Sequence, residues 1–447
     1  MKRYFLQRDR ELTTEILGRI IQDFEVNELP ILQKYEDYYT GKGYEIMKRQ
    51  AADPTRPDNK VVKNFCSSIV SNFQGYITGI PVTYSAKAGE DIAALLDIFE
   101  ENNVINEDSE FLKQALKYGV SYEIAYVNED NRIRFRNIDT RSVIPIYSND
   151  LEEDLLYVIY FTPIVSWDSK ESDPWSVRYN VSVYDDTQVF TYIATNDFNV
   201  FQLQEQRPHY FSQVPFAIFN LNTENVSVFD NVISLADAYN TLLSDSINNF
   251  QAFVDAYLVL TNVQADEEDL AKMKASRTIL LDGDSTAQYL TKNISDTQVQ
   301  NLLDDIEAAI HTVSDSPDFS SPEFNSGVSS GVAIKYKLVG FDNRANAIEA
   351  QFTKALQQRI TLINNILNLI DSDEANVNII YKENLPVDIA DTVATVNGLR
   401  GLVSEQTLLS QIPFISDVEE EMARKQEENT ISLYDFNMHE SEESEEE

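Results

Sequence analysis

At 447 residues the chain is long for one hydrophobic core, so two or more packed units are expected, and an apolar content of 43% with 23 Tyr and 23 Phe excludes wholesale disorder. Thirty-five basic residues against 74 acidic ones leave a net charge of −39, which repels phosphate backbones at long range and speaks against a DNA reader of the basic-patch kind. A single cysteine, Cys66, excludes an intramolecular disulfide and with it a stapled secreted scaffold.

The opening residues MKRYFLQRDRELTTEILGRII begin basic, but Gln7 to Glu11 interrupts any apolar stretch, so no signal peptide is expected. No apolar run approaches the length of about 18 residues that a membrane span requires. A soluble, cytosolic protein is expected.

Residues 1 to 110 are predicted to form helices joined by polar loops. TTEILGRIIQDFEV spaces Ile16, Ile20 and Phe24 as a helix does, with Thr13 or Thr14 able to cap it. Asp53 to Asn59 carries two prolines and is a loop. In NKVVKNFCSSIVSNFQGYITGIPVTYS, the residues Val62, Phe65, Ile69, Val70 and Phe73 mark one helical face. Gly75 and Gly79 then break the helix toward a short strand, Val82 to Tyr84. Cys66 fits as a small packed or half-exposed residue of that helix.

From about Tyr118 to Asn222 the period changes to two. SYEIAYVNED, RIRFRNI, DLLYVIYF, VRYNVSVYDD and TQVFTYIA alternate apolar and polar residues between turn signals, which predicts an antiparallel sheet of several hairpins. Arg132, Arg134 and Arg136 alternate along one strand and suit a solvated face.

Helical spacing returns after Asp230. Ile233, Ala236, Tyr239, Leu243, Ile247, Phe250, Val254 and Tyr257 step by three and four, predicting a helix to about residue 260 with a length of ~40 Å. A compact insert, 261 to 293, follows. A second helix starts at a capping Ser295 and repeats apolar residues at 299, 302, 306, 310 and 313. The loop SDSPDFSSPEFNSGVSSG, 314 to 331, leads into the longest periodic segment, marked by Tyr336, Phe341, Ala345, Ile348, Phe352, Leu356, Ile360, Ile363, Leu367 and Ile370. If continuous it spans on the order of 60 Å, with Gly340 as its kink point. The C-terminal part offers a strand-like VNIIY, helices in IADTVATVNGLRGLV and SEQTLLSQI, and an acidic end, ESEESEEE, expected to be disordered.

Catalytic motifs fail on context. GVSSG, 327 to 331, has the G-x-S-x-G form of a nucleophile elbow at Ser329. An elbow needs an apolar strand before it and a histidine after it, and here the proline-bearing loop precedes it while only His439, beside the glutamates, follows. Gly331 is followed by Val-Ala, so no phosphate-binding Lys-Ser/Thr is present. Asp304, Asp305 and Glu307, or Asp266 to Asp269, could in principle hold a divalent ion, but acid clusters without a matching loop are usually solvated faces, and neither metal nor cofactor is expected. Apolar faces on long, otherwise acidic helices call for neighbours, which points to an assembly and to a ring.

Four segments then fall into a known pattern. NKVVKNFCSSIVSNFQGYITGIPVTY, ADAYNTLLSDSINNFQAFVDAYLVL, SSGVAIKYKLVGFDNRANAIEAQFTKALQQRI and ENLPVDIADTVATVNGLRGLVSEQTLLSQIPFISDVEEE, in this order, resemble the portal proteins of tailed double-stranded-DNA phages of Gram-positive hosts. The resemblance covers about four-fifths of the chain. It implies an α+β, mainly α fold with wing, two-helix stem, clip, tunnel loop, long kinked helix and helical crown. The implied boundaries are a wing at 1–232, stem helices at 233–260 and 294–313, a clip at 261–293, a tunnel loop at 314–331, a long wing helix at 332–371, a crown at 372–430 and an acidic tail at 431–447.

The function implied is a non-enzymatic ring, dodecameric in the capsid, at one vertex of the virion, assembled in the host cytoplasm. It would conduct double-stranded DNA during packaging and ejection. Its partners would be the terminase large subunit, head–tail connector proteins, and major capsid and scaffolding proteins. By the same resemblance Ser316, Asp318, Phe319, Ser320, Glu323, Phe324, Asn325, Ser326 and Ser329 face the DNA, Lys335 and Lys337 supply nearby cations, and Gly327, Gly331 and Gly340 form a loop–helix hinge. Glu267, Glu268, Lys272, Lys274 and Arg277 of the clip meet the motor. A metal-dependent nucleic-acid enzyme built on the clustered carboxylates, and a coiled-coil scaffold or adaptor, stand as alternatives.

Overall fold

The structure is a computed structural model describing residues 2–51, 57–87, 91–165, 177–254, 257–261, 286–290, 296–319, 331–367, 377–382, 384, 389–410 and a few positions from 412 to 425. In chain order it begins with β1 (Tyr4–Leu6), α1 (Thr14–Asn27), α2 (Leu29–Tyr39), α3 (Glu45–Lys48), α4 (Phe65–Ile77), β2 (Thr83–Ala86), α5 (Ala93–Glu101) and α6 (Val104–Tyr118). The strands β3 (Val120–Val127), β4 (Ile133–Ile138), β5 (Val143–Ser148), β6 (Leu155–Val165), β7 (Val177–Tyr184), β8 (Gln188–Ala194), β9 (Phe201–Pro208) and β10 (Phe216–Asn220) follow. Then come α7 (Ile233–Val254), β11 (Tyr257–Thr261), β12 (Thr286–Leu290), α8 (Asp296–Val313), α9 (Gly331–Leu367), β13 (Val377–Ile380), α10 (Ile389–Leu399) and α11 (Glu405–Ser410). The fold class is α+β, and the chain divides into two compact units: 1–35, 69–228 and 315–447 form one, 36–68 and 229–314 the other.

The first unit is organised by sheets. Six strands run in the order β1-β5-β6-β7-β8-β9, three in the order β10-β3-β4, and β13 pairs antiparallel with β2. The alternating pattern puts Val120, Tyr122, Val143, Val158, Phe216 and Ile218 from the two larger sheets into one apolar cluster, joined by Val214 just before β10. On the opposite face of β6, Phe161 meets Phe24 of α1 edge-on at 5.9 Å. Thr13 caps α1 as its position suggests, its Oγ1 accepting from the Ile16 amide at 3.4 Å. Gly119 closes α6 at φ 84°, where a side chain would collide with the Asn225 backbone 2.4 Å away. Arg132 and Arg134 turn toward Glu101 at 2.8 and 3.7 Å.

The long helix α9 crosses this unit. Leu338, Phe341, Ala345, Ile348, Phe352, Leu356, Ile360 and Ile363 are buried at three- and four-residue steps. Tyr336, expected on that stripe, is instead 78% exposed. Five positions before Phe341 is about 140° around the helix at 3.6 residues per turn, so Leu338 takes the buried place. Phe352 stacks on Phe219 at 5.0 Å, and Phe111 packs edge-on to both.

Among these apolar contacts lies a charged group that periodicity does not reveal. Arg359 is 1% exposed, and its guanidinium donates to Glu123 of β3 at 2.6 and 2.7 Å and to Asp108 of α6 at 2.5 Å. Tyr84 of β2 donates to the other Asp108 oxygen at 2.6 Å. Phe135 lies 4.5 Å beneath the guanidinium. Burial alone would lower the Arg359 pKa, but the two carboxylates outweigh it and hold the group well above its ordinary value. Burial pushes the Glu123 carboxyl up, against the pull of Arg359.

The second unit rests on a matched ladder. Residues 59 to 63 run extended along α7, where Asn248, Ser244 and Asn240 stand at four-residue steps. Their side chains accept from the amides of Asn59, Val61 and Lys63 at 2.7, 3.0 and 2.7 Å. The same three side chains donate back to the carbonyls of Asn59, Val61 and Lys63 at 3.4, 3.2 and 3.3 Å. Four helical residues rise about 6 Å and two extended residues about 6.6 Å, so the two periods stay in step over three rungs. Val62, expected on the helical face of 62–73, therefore lies in this extended stretch, and the helix starts at Phe65. Cys66 is fully buried, and burial pushes its thiol up to about 12.

The helix predicted to about residue 260 ends at Val254. Tyr257–Thr261 is instead a strand paired antiparallel with Thr286–Leu290. YLVL is apolar at successive positions with a β-branched valine, which suits a strand and a helix end alike, so spacing alone did not separate them. Residues 262–285, including Glu267, Glu268, Lys272, Lys274 and Arg277, lie outside the described residues.

Two substitutions probe these contacts. Arg359→Met strands two buried carboxylates and should cost about 3–5 kcal/mol. Adding Glu123→Gln and Asp108→Asn should recover most of that loss, as read by urea unfolding midpoints. Asn240→Leu leaves the Lys63 amide and carbonyl unpaired and should cost about 1–3 kcal/mol by the same measurement.

Candidate functional site: the base of the long helix

The segment from 314 to the start of α9 was singled out as a loop feeding a long helix. Residues 320–330 lie outside the described residues, and with them Ser320, Glu323, Phe324, Asn325, Ser326, Gly327 and Ser329. Both flanks are described, and they meet.

Asp315 adopts φ 51° and directs its carboxylate toward Arg344 of α9 at 3.7 Å. Arg344 also donates to the Val228 carbonyl at 2.9 Å and lies 5.5 Å over the Phe73 ring. Burial lowers the Arg344 guanidinium from its ordinary value against the pull of Asp315, yet an arginine stays charged there. Ser316, expected to face DNA, is instead fully buried, its Oγ accepting from Asn72 of α4 at 2.9 Å. A small hydroxyl beside a helical amide fits the interior, which loop composition does not show. Asp318 is half-buried. Phe319 keeps 38% exposure and sits edge-on to Phe341 at 6.1 Å.

Phe341 is the centre of this cluster. Its ring lies 4.6 Å from Phe73 and 4.8 Å from Tyr76, and Tyr76 donates to Asp342 at 2.5 Å. The incoming chain is therefore clamped at 315–319 against positions 341–344 of the helix that leaves the loop. Clamping ends one turn earlier. Tyr336 and Val339 are 78% and 49% exposed, and Lys337 and Gly340 are exposed as well. The nearest group to a Cβ at Gly340 would be the Asp315 Oδ1 at 3.4 Å. Gly331 opens α9, and the Lys335 side chain is outside the description.

Two of the carboxylates weighed as a metal site have side-chain partners. Glu307 pairs with Lys63, and Asp304 accepts from Gln300 at 2.7 Å. Asp266 to Asp269 are not among the described residues. The sequence signals missed Asn72, Arg344 and Asp342 entirely. A charged residue one to three positions from an aromatic on a buried stripe, as with Phe341, Asp342 and Arg344, is the one pattern that could have flagged them.

Comparison with known proteins bears on the whole chain. Residues 19–431 match the family described as phage portal protein, SPP1 Gp6-like. The chain is 23% identical over 429 residues to the portal protein of Bacillus phage SPP1, covering 90% of this chain and 81% of that one. It is 20% identical over 430 residues to the portal protein of Clostridium phage phiCD119, covering 91% and 94%. Among solved structures, a chain from the neck of an empty GTA particle computed with C6 symmetry aligns at TM-score 0.44 and 12% identity, covering 83% of this chain and 90% of that chain. No helix among the described residues is long and apolar enough to cross a membrane.

Proposed function

Because the chain belongs to the SPP1 Gp6-like family of phage portal proteins, we propose that it works as a ring of identical subunits, twelve in the capsid, at one vertex of a phage head. The ring is the conduit through which double-stranded DNA enters during packaging and leaves during ejection. It catalyses no reaction of its own. The terminase motor and then the head–tail connector dock on it, and capsid and scaffolding proteins surround it. The match from 19 to 431, uninterrupted through both compact units, carries this reading.

Within it, α7 and α8 form the stem, residues 261–293 the clip that meets the motor, and residues after about 376 the crown. The segment 320–330 is the part of the loop nearest DNA, with Lys335 and Lys337 behind it. Large apolar side chains left open on the single subunit support contact with neighbouring copies: Phe250 at 73%, Leu302 at 49%, Tyr336 at 78% and Val339 at 49% exposure. The acidic balance suits a conduit, since a wall that bound phosphates tightly would stall translocation. Twelve subunits at −39 each carry roughly −470.

Electron microscopy of the purified protein should show rings with a central hole. A population of monomers and dimers alone would refute the assignment. Excising residues 321–326 leaves the Asp315–Arg344 and Ser316–Asn72 contacts in place. It should preserve rings while reducing DNA packaging at least about tenfold, by nuclease-protected DNA per particle. Undiminished packaging would remove the loop from the conduit.

A further inference from the structure

The N-terminal arm sets itself apart by how it is held. β1 contributes three residues, pairing parallel with β5 as Tyr4 to Ile146, Phe5 to Tyr147 and Leu6 to Ser148. Its apolar anchorage is slight: Tyr4 and Leu6 are buried, while Phe5 is 43% exposed. Packing below is incomplete, with a small cavity of about 10 Å³ lined by Lys2, Arg3, Tyr4, Tyr122, Tyr147 and Asn225. Among the described residues the buried Asn225 Oδ1 has no hydrogen-bond partner.

Charge supplies the rest. Lys2 bonds Asp23 at 2.7 Å, and Tyr4 donates to the same oxygen at 2.8 Å. Arg3 bonds Glu153 at 2.7 Å and lies 4.6 Å over the Tyr147 ring. Arg8 donates to Asp150, to Asp154 and, at 3.0 Å, to Glu152. The turn that receives Arg8 is built beforehand: Asp150 Oδ1 accepts from the Ser148 hydroxyl at 2.8 Å and from the Glu152 and Glu153 amides at 3.2 Å each. The Arg8 guanidinium holds the Asp150 carboxyl well below the usual range, so this contribution is present above about pH 4 and lost only as pH falls through the depressed value. All three cations are solvent-exposed, where ion pairs are screened by salt.

We propose that residues 2–8 are an ion-latched strap that covers the β5 edge, lifts off without unfolding the sheet, and guards that edge against strand pairing with a second copy of this chain. Without β1, β5 presents an outer edge of unpaired amides and carbonyls, and covering such an edge is how sheets avoid edge-to-edge association. The strap precedes residue 19, where the match to the family begins.

Hydrogen exchange of the full-length protein tests this at low salt and at about 1 M salt, where the Debye length falls to ~3 Å. Amides of 3–8 and the Asn149 amide, which donates to the Leu6 carbonyl at 3.0 Å, should exchange at least about tenfold faster at high salt, while those of β6 and β7 stay unchanged. The charge-reversed double variant Arg3→Glu/Arg8→Glu should do the same at low salt. In light scattering it should grow with concentration beyond the wild-type assembly. Equal exchange in all conditions overturns the latch, since Tyr4 and Leu6 would then suffice. Loss of protection spreading through β6 and β7 overturns the strap, since residues 2–8 would be core. An exposed β5 edge with unchanged particle size overturns the guarding role.

Discussion

Arg359 cannot be buried cheaply, and most of the first unit is arranged so that it can be buried at all. Removing a guanidinium from water costs several kcal/mol even after relaxation, and each carboxylate adds its own penalty. Two carboxylates, an aromatic face and a tyrosine hydroxyl must therefore stand in fixed places around one side chain. Those groups come from β3, α6, β4 and β2, so four elements inherit their register to α9 from one charge. β2 in turn carries β13, which brings the C-terminal strand under the same constraint.

Anchoring of α9 is consequently graded along its length. Around 345–363 the helix is buried and ionically pinned, around 341–344 it is clamped by aromatic rings and Arg344, and at 336–340 Leu338 alone is buried. The clamp at Phe341 separates the pinned part of α9 from its first turns.

How much of this was legible follows from what periodicity encodes. Alternation exposed β3, β4, β6, β7 and β8, and three-four spacing placed α1, α8 and nearly all of α9. β1 was missed because three residues in a basic arm give no pattern, and its strand identity comes only from β5. The extended run at 59–63 was absorbed into a helix because its partners, Asn240, Ser244 and Asn248, sit some 180 residues away and look like ordinary polar positions of an amphipathic helix. Arg359 was invisible for a related reason. On a helical wheel it is one more arginine, and only Asp108 and Glu123, each unremarkable alone, make it structural. Ser316 shows the converse, since its loop composition suggested exposure while one amide of α4 draws it inside.

The charge balance has a spatial side that a net figure of −39 hides. Several of the described cations are spent on nearby acids: Arg8, Arg49, Lys63, Arg132 and Arg359 each face at least one carboxylate. Each such pair cancels one charge of each sign locally, so the surplus acids set the sign of the outward field. Ion pairs add to the slight apolar anchorage of the N-terminal arm. In a chain this acidic, a short basic segment finds carboxylates at any sheet edge it approaches, and an acidic turn such as 150–154 selects which edge it covers.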